Sequence, residues 1–198
     1  MQIRYPLTTH VYRPVSKPAA HLLARTRLTP THVTYVSALL SFGGGVAFGL
    51  RIYALGAALT LLGSITDCID GDLARATGRS SPSGSYLDHV FDRWTDAALI
   101  LGLTFADLDH YAAAGLIALV GTFMTSYART KGQVVGCDPA VGVAGRDARM
   151  LLLVCAGLLQ YAFDDSTLFA LWAVAALGLI TAVQRMAFAI KAIDRAGR

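Results

Sequence analysis

Glutamate is absent from this chain: all 13 acidic residues are aspartate. Charge of either sign is scarce. Charged residues fill 15% of the 198 positions, where a soluble domain carries about 25%. That shortfall argues against an ordinary soluble globule. A hydrophobic content of 55% and a mean hydropathy of +0.52 point instead to a polytopic membrane protein. Cysteine is sparse as well. Cys68, Cys137 and Cys155 stand far apart and match neither a disulfide framework nor a zinc pattern. Residues 1–27 carry Arg4, Arg13, Lys17, Arg25 and Arg27 but no long apolar run, so no cleavable signal is expected. The net charge of +4 is not gathered into a basic stripe with interleaved aromatics, which argues against a nucleic-acid partner.

What the chain has in quantity is apolar runs. A spanning helix needs about 20 mostly apolar residues. Six such stretches are read at roughly 31–50, 52–76, 84–105, 111–131, 147–163 and 167–190. The expected fold is all-α: six transmembrane helices preceded by an amphipathic surface segment over residues 10–27. No internal repeat or low-complexity linker appears. The chain therefore reads as one membrane domain over 1–198, with a juxtamembrane segment at 1–30 and the bundle at 31–198. The connections divide by charge. Asp107, Asp109, Asp164 and Asp165 mark one side, with Arg51 the lone basic residue there. Arg75, Arg79, Arg129, Lys131, Arg146 and Arg149 mark the other, as do the termini with Lys191, Arg195 and Arg198. The positive-inside rule then places both termini on the cytoplasmic face of the cell membrane.

The informative stretch runs from Asp67 to Asp96. Asp67 and Asp70 are three apart, and Asp88 and Asp92 four apart, so each pair shares a helix face. A Gly/Ser/Pro-containing turn over 77–83 joins the two helices and lets the pairs converge near the cytoplasmic end. Carboxylates inside a span are costly and mark functional sites by default. Four of them together repel unless a cation intervenes, and all-oxygen ligation selects a hard ion such as Mg²⁺, Mn²⁺ or Ca²⁺. Gly71 and Ala74 allow close approach of a ligand to the backbone, and Arg75 suits a phosphate oxygen. Asp72, Asp96, Arg93, His89 and Cys68 lie among these positions and are read as structural residues, with Arg93 pairing an aspartate.

The series Asp67-x2-Asp70-Gly71-x2-Ala74-Arg75-x8-Gly84-x3-Asp88-x3-Asp92 resembles the signature of the CDP-alcohol phosphotransferase family at every fixed position. The resemblance implies a homodimeric six-helix membrane enzyme in phospholipid synthesis. It implies a metal site at Asp67, Asp70, Asp88 and Asp92, holding Mg²⁺ or Mn²⁺ as two ions. A cytidine-diphosphate pocket is implied around Asp67, Asp70, Gly71, Ala74, Arg75, Gly84 and Asp88. Asp92 takes the part of general base. The expected donor is a CDP-linked lipid, CDP-diacylglycerol or CDP-archaeol, and CMP is released.

For the acceptor, Arg129 and Lys131 close the fourth span while Arg146 and Arg149 open the fifth. A cationic pocket from these four would suit a phosphorylated polyol. The layout looks like the branch that makes phosphatidylinositol phosphate or its archaeal ether-lipid counterpart, although Gly145 stands where an acidic residue is common. Glycerol 3-phosphate as acceptor and CDP-inositol as donor are the alternatives within the family. A cation transporter or channel is the alternative outside it. A through-path would need ionisable groups at mid-membrane, and the fourth to sixth spans read as apolar there.

Overall fold

The structure, a computed structural model, describes residues 13–196. Over that range it is all helix: α1 (Arg13–Leu23), α2 (Pro30–Gly49), α3 (Tyr53–Thr77), α4 (Pro82–Ala106), α5 (Leu108–Val134), α6 (Arg146–Leu159) and α7 (Ser166–Ala196). Residues 10–12 of the expected surface segment lie outside the described residues. The helix ends follow local chemistry. Thr29 caps α2, with Pro30 in the first turn where a missing N–H costs nothing. Gly78 ends α3 at φ 65°, and the Ser81 hydroxyl accepts from the Gly84 N–H to start α4.

Three helices, α3, α5 and α7, are long and apolar enough to cross a membrane by length and composition. The other long stretches fall short of that standard for visible reasons. In α2, Thr, Ser and Gly are frequent; α4 carries Asp88, Asp92, Arg93 and Asp96; α6 has only 14 residues. The fifth expected span, 147–163, therefore ends earlier than its apolar composition suggests, and residues 160–165 form turns instead. The bundle surface is apolar, with Leu39, Val46, Phe105, Leu116 and Val183 all exposed, as expected of a chain bathed in lipid.

Two features position the site. First, α2 packs along both α3 and α4, while α3 and α4 hardly touch each other. Gly45 and Gly102 make the α2–α4 contact possible: a Cβ on Gly102 would fall onto the Gly45 carbonyl, too close for any side chain. Second, α1 lies against α3 through a small apolar cluster of Ala20, Val33 and Leu73. Its opposite face, with Lys17, His21 and Leu22, is exposed. The main core sits deeper, where Phe48, Ile100, Leu103, Leu153, Leu171 and Val174 meet.

Candidate active site

The carboxylates of Asp67 and Asp70 on α3 and Asp88 on α4 each offer an oxygen, all within 4.8 Å of one another. Helix α2 reaches between the two helices that carry them. Thr34 Oγ1 donates to Asp70 Oδ2 at 2.6 Å, and Ser37 Oγ donates to Asp67 Oδ1 at 3.4 Å. Like charges this close are stable only with compensation. Hydroxyl donors supply part of it, and a hard divalent cation among the three oxygens would supply the rest, so the donor set fits such an ion.

Asp92, the fourth aspartate of the series, turns a different way. Its Oδ1 takes Arg146 Nη1 at 2.7 Å, and the same nitrogen lies 3.5 Å from Asp67 Oδ2. Arg146 opens α6, and its Nε donates to the fully buried Asp96 at 2.8 Å. Arg93 Nη1 approaches the other Asp96 oxygen at 3.2 Å, and the same Arg93 nitrogen donates to Ser126 Oγ. Asp96 thus receives one guanidinium from its own helix and one from α6.

Two cavities flank this cluster. The first, about 320 Å³, is lined by Asp70, Gly71, Ala74, Arg75, Gly84 and Asp88, with Pro30, Thr31 and Thr34 of α2 opposite. The second, about 450 Å³, is lined by Asp92, Arg93, Arg129, Arg146, Arg149 and Arg185 among others. Asp88 borders one cavity and Asp92 the other, a single helical turn apart.

A model of the family described as CDP-alcohol phosphatidyltransferase matches residues 27–189. The chain belongs to that family. Archaetidylinositol phosphate synthase of Pyrococcus horikoshii is 30% identical over 173 residues, spanning 87% of this chain and 89% of that one. Phosphatidylinositol phosphate synthase of Corynebacterium glutamicum is 35% identical, spanning 89% of this chain and 84% of its own. The Mycobacterium tuberculosis phosphatidylinositol phosphate synthase has the same membrane fold. Its crystal structure with CDP-DAG bound superposes at a TM-score of 0.81 with 26% identity, over 89% of this chain and 94% of that one. A second structure of that protein holds manganese and citrate, with a TM-score of 0.81 over 89% of each chain. The chain is therefore a membrane enzyme of the CDP-alcohol phosphatidyltransferase class.

Within this phosphatidyltransferase, the residues singled out from sequence sort as follows. Six of the seven expected around cytidine diphosphate line the first cavity; Asp67 stands behind it, on the Arg146 side. Of the four expected acceptor cations, Arg129, Arg146 and Arg149 line the second cavity, whereas Lys131 is exposed and outside its lining. Helical geometry accounts for that: Lys131 is two residues past Arg129 and projects about 200° around α5. Arg129 is held by Asp138 at 3.0 Å, and this contact keeps the Asp138 carboxyl below its usual range. Arg149 is buried and donates to the Ala144 carbonyl. His89, read from sequence as a packing residue, also lines the second cavity.

Three residues escaped the sequence reading. Thr34 and Ser37 give little signal, being two of several small hydroxyl residues along α2. Arg185 gives more. An arginine deep in the apolar run of α7 is costly unless used, and it donates to the Val141 and Thr125 carbonyls beside the second cavity.

Proposed function

We propose that this enzyme transfers a phosphatidyl-type group from a CDP-linked lipid to an inositol phosphate, releasing CMP, in phospholipid synthesis. One observation carries the reading: a single carboxylate cluster stands between a cavity bounded by the family signature and a cavity bounded by guanidinium groups. A nucleoside diphosphate and a phosphorylated alcohol are the ligands that such a pair suits. The relatives are named for making phosphatidylinositol phosphate or archaetidylinositol phosphate, which supports inositol phosphate as the acceptor.

In this reading Asp67, Asp70, Gly71, Ala74, Arg75, Gly84 and Asp88 hold the cytidine diphosphate. Asp67, Asp70 and Asp88, joined by Asp92, hold two Mg²⁺ or Mn²⁺ ions. Such ions, when bound, neutralise the diphosphate and stabilise charge on the oxygens around phosphorus. Arg129, Arg146 and Arg149 hold the acceptor's phosphate, with Arg185 beside them. The acceptor hydroxyl oxygen then bonds to the lipid-bearing phosphorus. The bond from that phosphorus to the CMP oxygen breaks, CMP leaves with the electron pair, and the hydroxyl proton passes to Asp92.

The chain acts as one domain. Helices α2 to α7 cross the cell membrane as six spans, α1 lies on the cytoplasmic surface, and both termini and the site face the cytoplasm. The basic residues flanking the carboxylate end support this orientation. The working unit is a homodimer, as the family resemblance implies. The test is an acceptor panel with CDP-diacylglycerol as donor and CMP release as readout. Inositol phosphate should be the preferred acceptor. Turnover with glycerol 3-phosphate but not inositol phosphate would overturn the assignment.

A further inference from the structure

We propose that Ser16 and Asp72 are positioning residues for the donor, forming a relay from the surface helix α1 to Arg75. The proposal rests on the reading of the first cavity as the CDP-lipid site. Neither residue is part of the signature, and neither lines the cavity. Ser16 is nevertheless fully buried, and its Oγ donates to Asp72 Oδ2 at 2.6 Å. The other carboxylate oxygen, Oδ1, accepts from Arg75 Nη2 at 2.8 Å. Asp72 is one-tenth exposed, so its charge is largely withdrawn from water and is shared between the hydroxyl on one side and the guanidinium on the other.

The far end of this chain of contacts is a cavity wall. Arg75 is mostly exposed, and an arginine in that state samples many rotamers unless something holds it. Asp72, three residues earlier and on the same face of α3, is what holds it. The guanidinium is thereby laid over Gly71: a Cβ at that position would meet Nη1 and Nη2 at 3.4 Å. Arg75 is thus presented at the rim of the donor cavity before any ligand arrives. The near end is α1. Ala20, four residues after Ser16 and on the same face, packs with Val33 and Leu73, so the hydroxyl is delivered by a docked helix rather than a free tail. The docking of α1 and the aim of Arg75 are therefore one structural event. A relay of this kind lowers the ordering cost of donor binding, because the side chain is already in place.

The experiment measures CDP-diacylglycerol binding and steady-state kinetics in purified, metal-loaded enzyme. Ser16→Ala should raise the donor KM and Kd about three- to ten-fold, since Arg75 keeps its tie to Asp72 but loses its fixed aim. The kcat and the acceptor KM should stay within about two-fold. Ser16→Thr keeps the hydroxyl and should restore donor binding. Asp72→Asn should also weaken the donor. Adding Ser16→Ala to Asp72→Asn should do little more, because both act through one chain of contacts. Unchanged donor binding in Asp72→Asn, equal weakening of both substrates, or full additivity of the two changes would overturn the relay. A wild-type enzyme that fails to bind CDP-diacylglycerol would instead remove the reading of the cavity, and the relay with it.

Discussion

Arg146, half-buried at the start of α6, pairs with a fully buried carboxylate on α4: its Nε donates to Asp96 Oδ1 at 2.8 Å. Removing one partner of such a pair leaves an uncompensated charge, which typically costs about 3–5 kcal/mol. Asp96→Ala removes one of the two anions that Arg93 and Arg146 share and leaves Asp92 between them. Because both guanidiniums keep Asp92, it is expected to lower thermal stability in detergent by less than that and to weaken the acceptor along with it. A melting curve indistinguishable from wild type would show that the pair does not hold α6 against α4.

Arg146 also contacts Asp92 and Asp67, so its loss should not be confined to one substrate. Arg129 gives the cleaner test of the acceptor pocket. It lines the second cavity and is held by Asp138 rather than by the clustered carboxylates. Arg129→Ala should raise the acceptor KM roughly ten-fold while leaving the donor KM near normal, the loss of one charge-assisted contact. Lys131→Ala, outside the lining, should change neither. A larger acceptor effect from Lys131 than from Arg129 would reverse the assignment.

The divide between Arg129 and Lys131 shows where sequence reasoning runs out. Spacings within one helix are legible because 3.6 residues per turn fixes which side chains share a face. That is why Asp67 groups with Asp70, and Gly71 with Arg75, on spacing alone. The helices themselves are legible for the same reason, since apolar runs of that length leave few options. Relations between helices are legible only where a short turn forces them, as between α3 and α4. The role of Thr34 and Ser37 depends on α2 lying between α3 and α4, which no local pattern encodes. The Ser16–Asp72 contact spans 56 residues and depends on which way α1 folds back. The turn at 160–165 interrupts a stretch whose composition would carry a helix further.

The carboxylate cluster predicts a strict metal requirement. Asp67→Asn, Asp70→Asn and Asp88→Asn each keep the shape and remove the charge, so each should abolish metal-dependent CMP release. EDTA should do the same to the wild type, with Mg²⁺ or Mn²⁺ restoring turnover. Full activity in chelator would refute a metal role for the three converging oxygens.

Orientation can be tested without catalysis. In a Cys-free variant, a cysteine replacing Asp109 or Asp165 should react with an impermeant thiol reagent applied outside the cell. A cysteine replacing Ser81, in the turn between α3 and α4, should be protected. The opposite labelling pattern would put the carboxylate cluster on the wrong side for a cytidine nucleotide.

Asp92 is the residue on which the proposed chemistry turns. A hydroxyl is a poor nucleophile until its proton is drawn off, and the accepting group has to reach both the metal cluster and the acceptor. Asp88 borders the first cavity and Asp92 the second, and Asp92 lies one helical turn further along α4. An incoming hydroxyl held in the second cavity therefore meets Asp92 before it meets Asp88. The contact with Arg146 at 2.7 Å fixes the direction of its carboxylate, so the base is oriented before the reaction begins. If Asp92 is the base, Asp92→Asn should lower kcat by roughly 10²–10⁴ while CDP-donor binding, measured with metal present, stays within a few-fold of normal. If donor and metal binding collapse together with kcat, Asp92 is a metal ligand first. Isothermal titration of the variant with Mn²⁺, then with CDP-diacylglycerol, separates the two outcomes, because a residue that acts mainly as base leaves donor affinity nearly in place, whereas an essential ligand takes both affinities down with kcat.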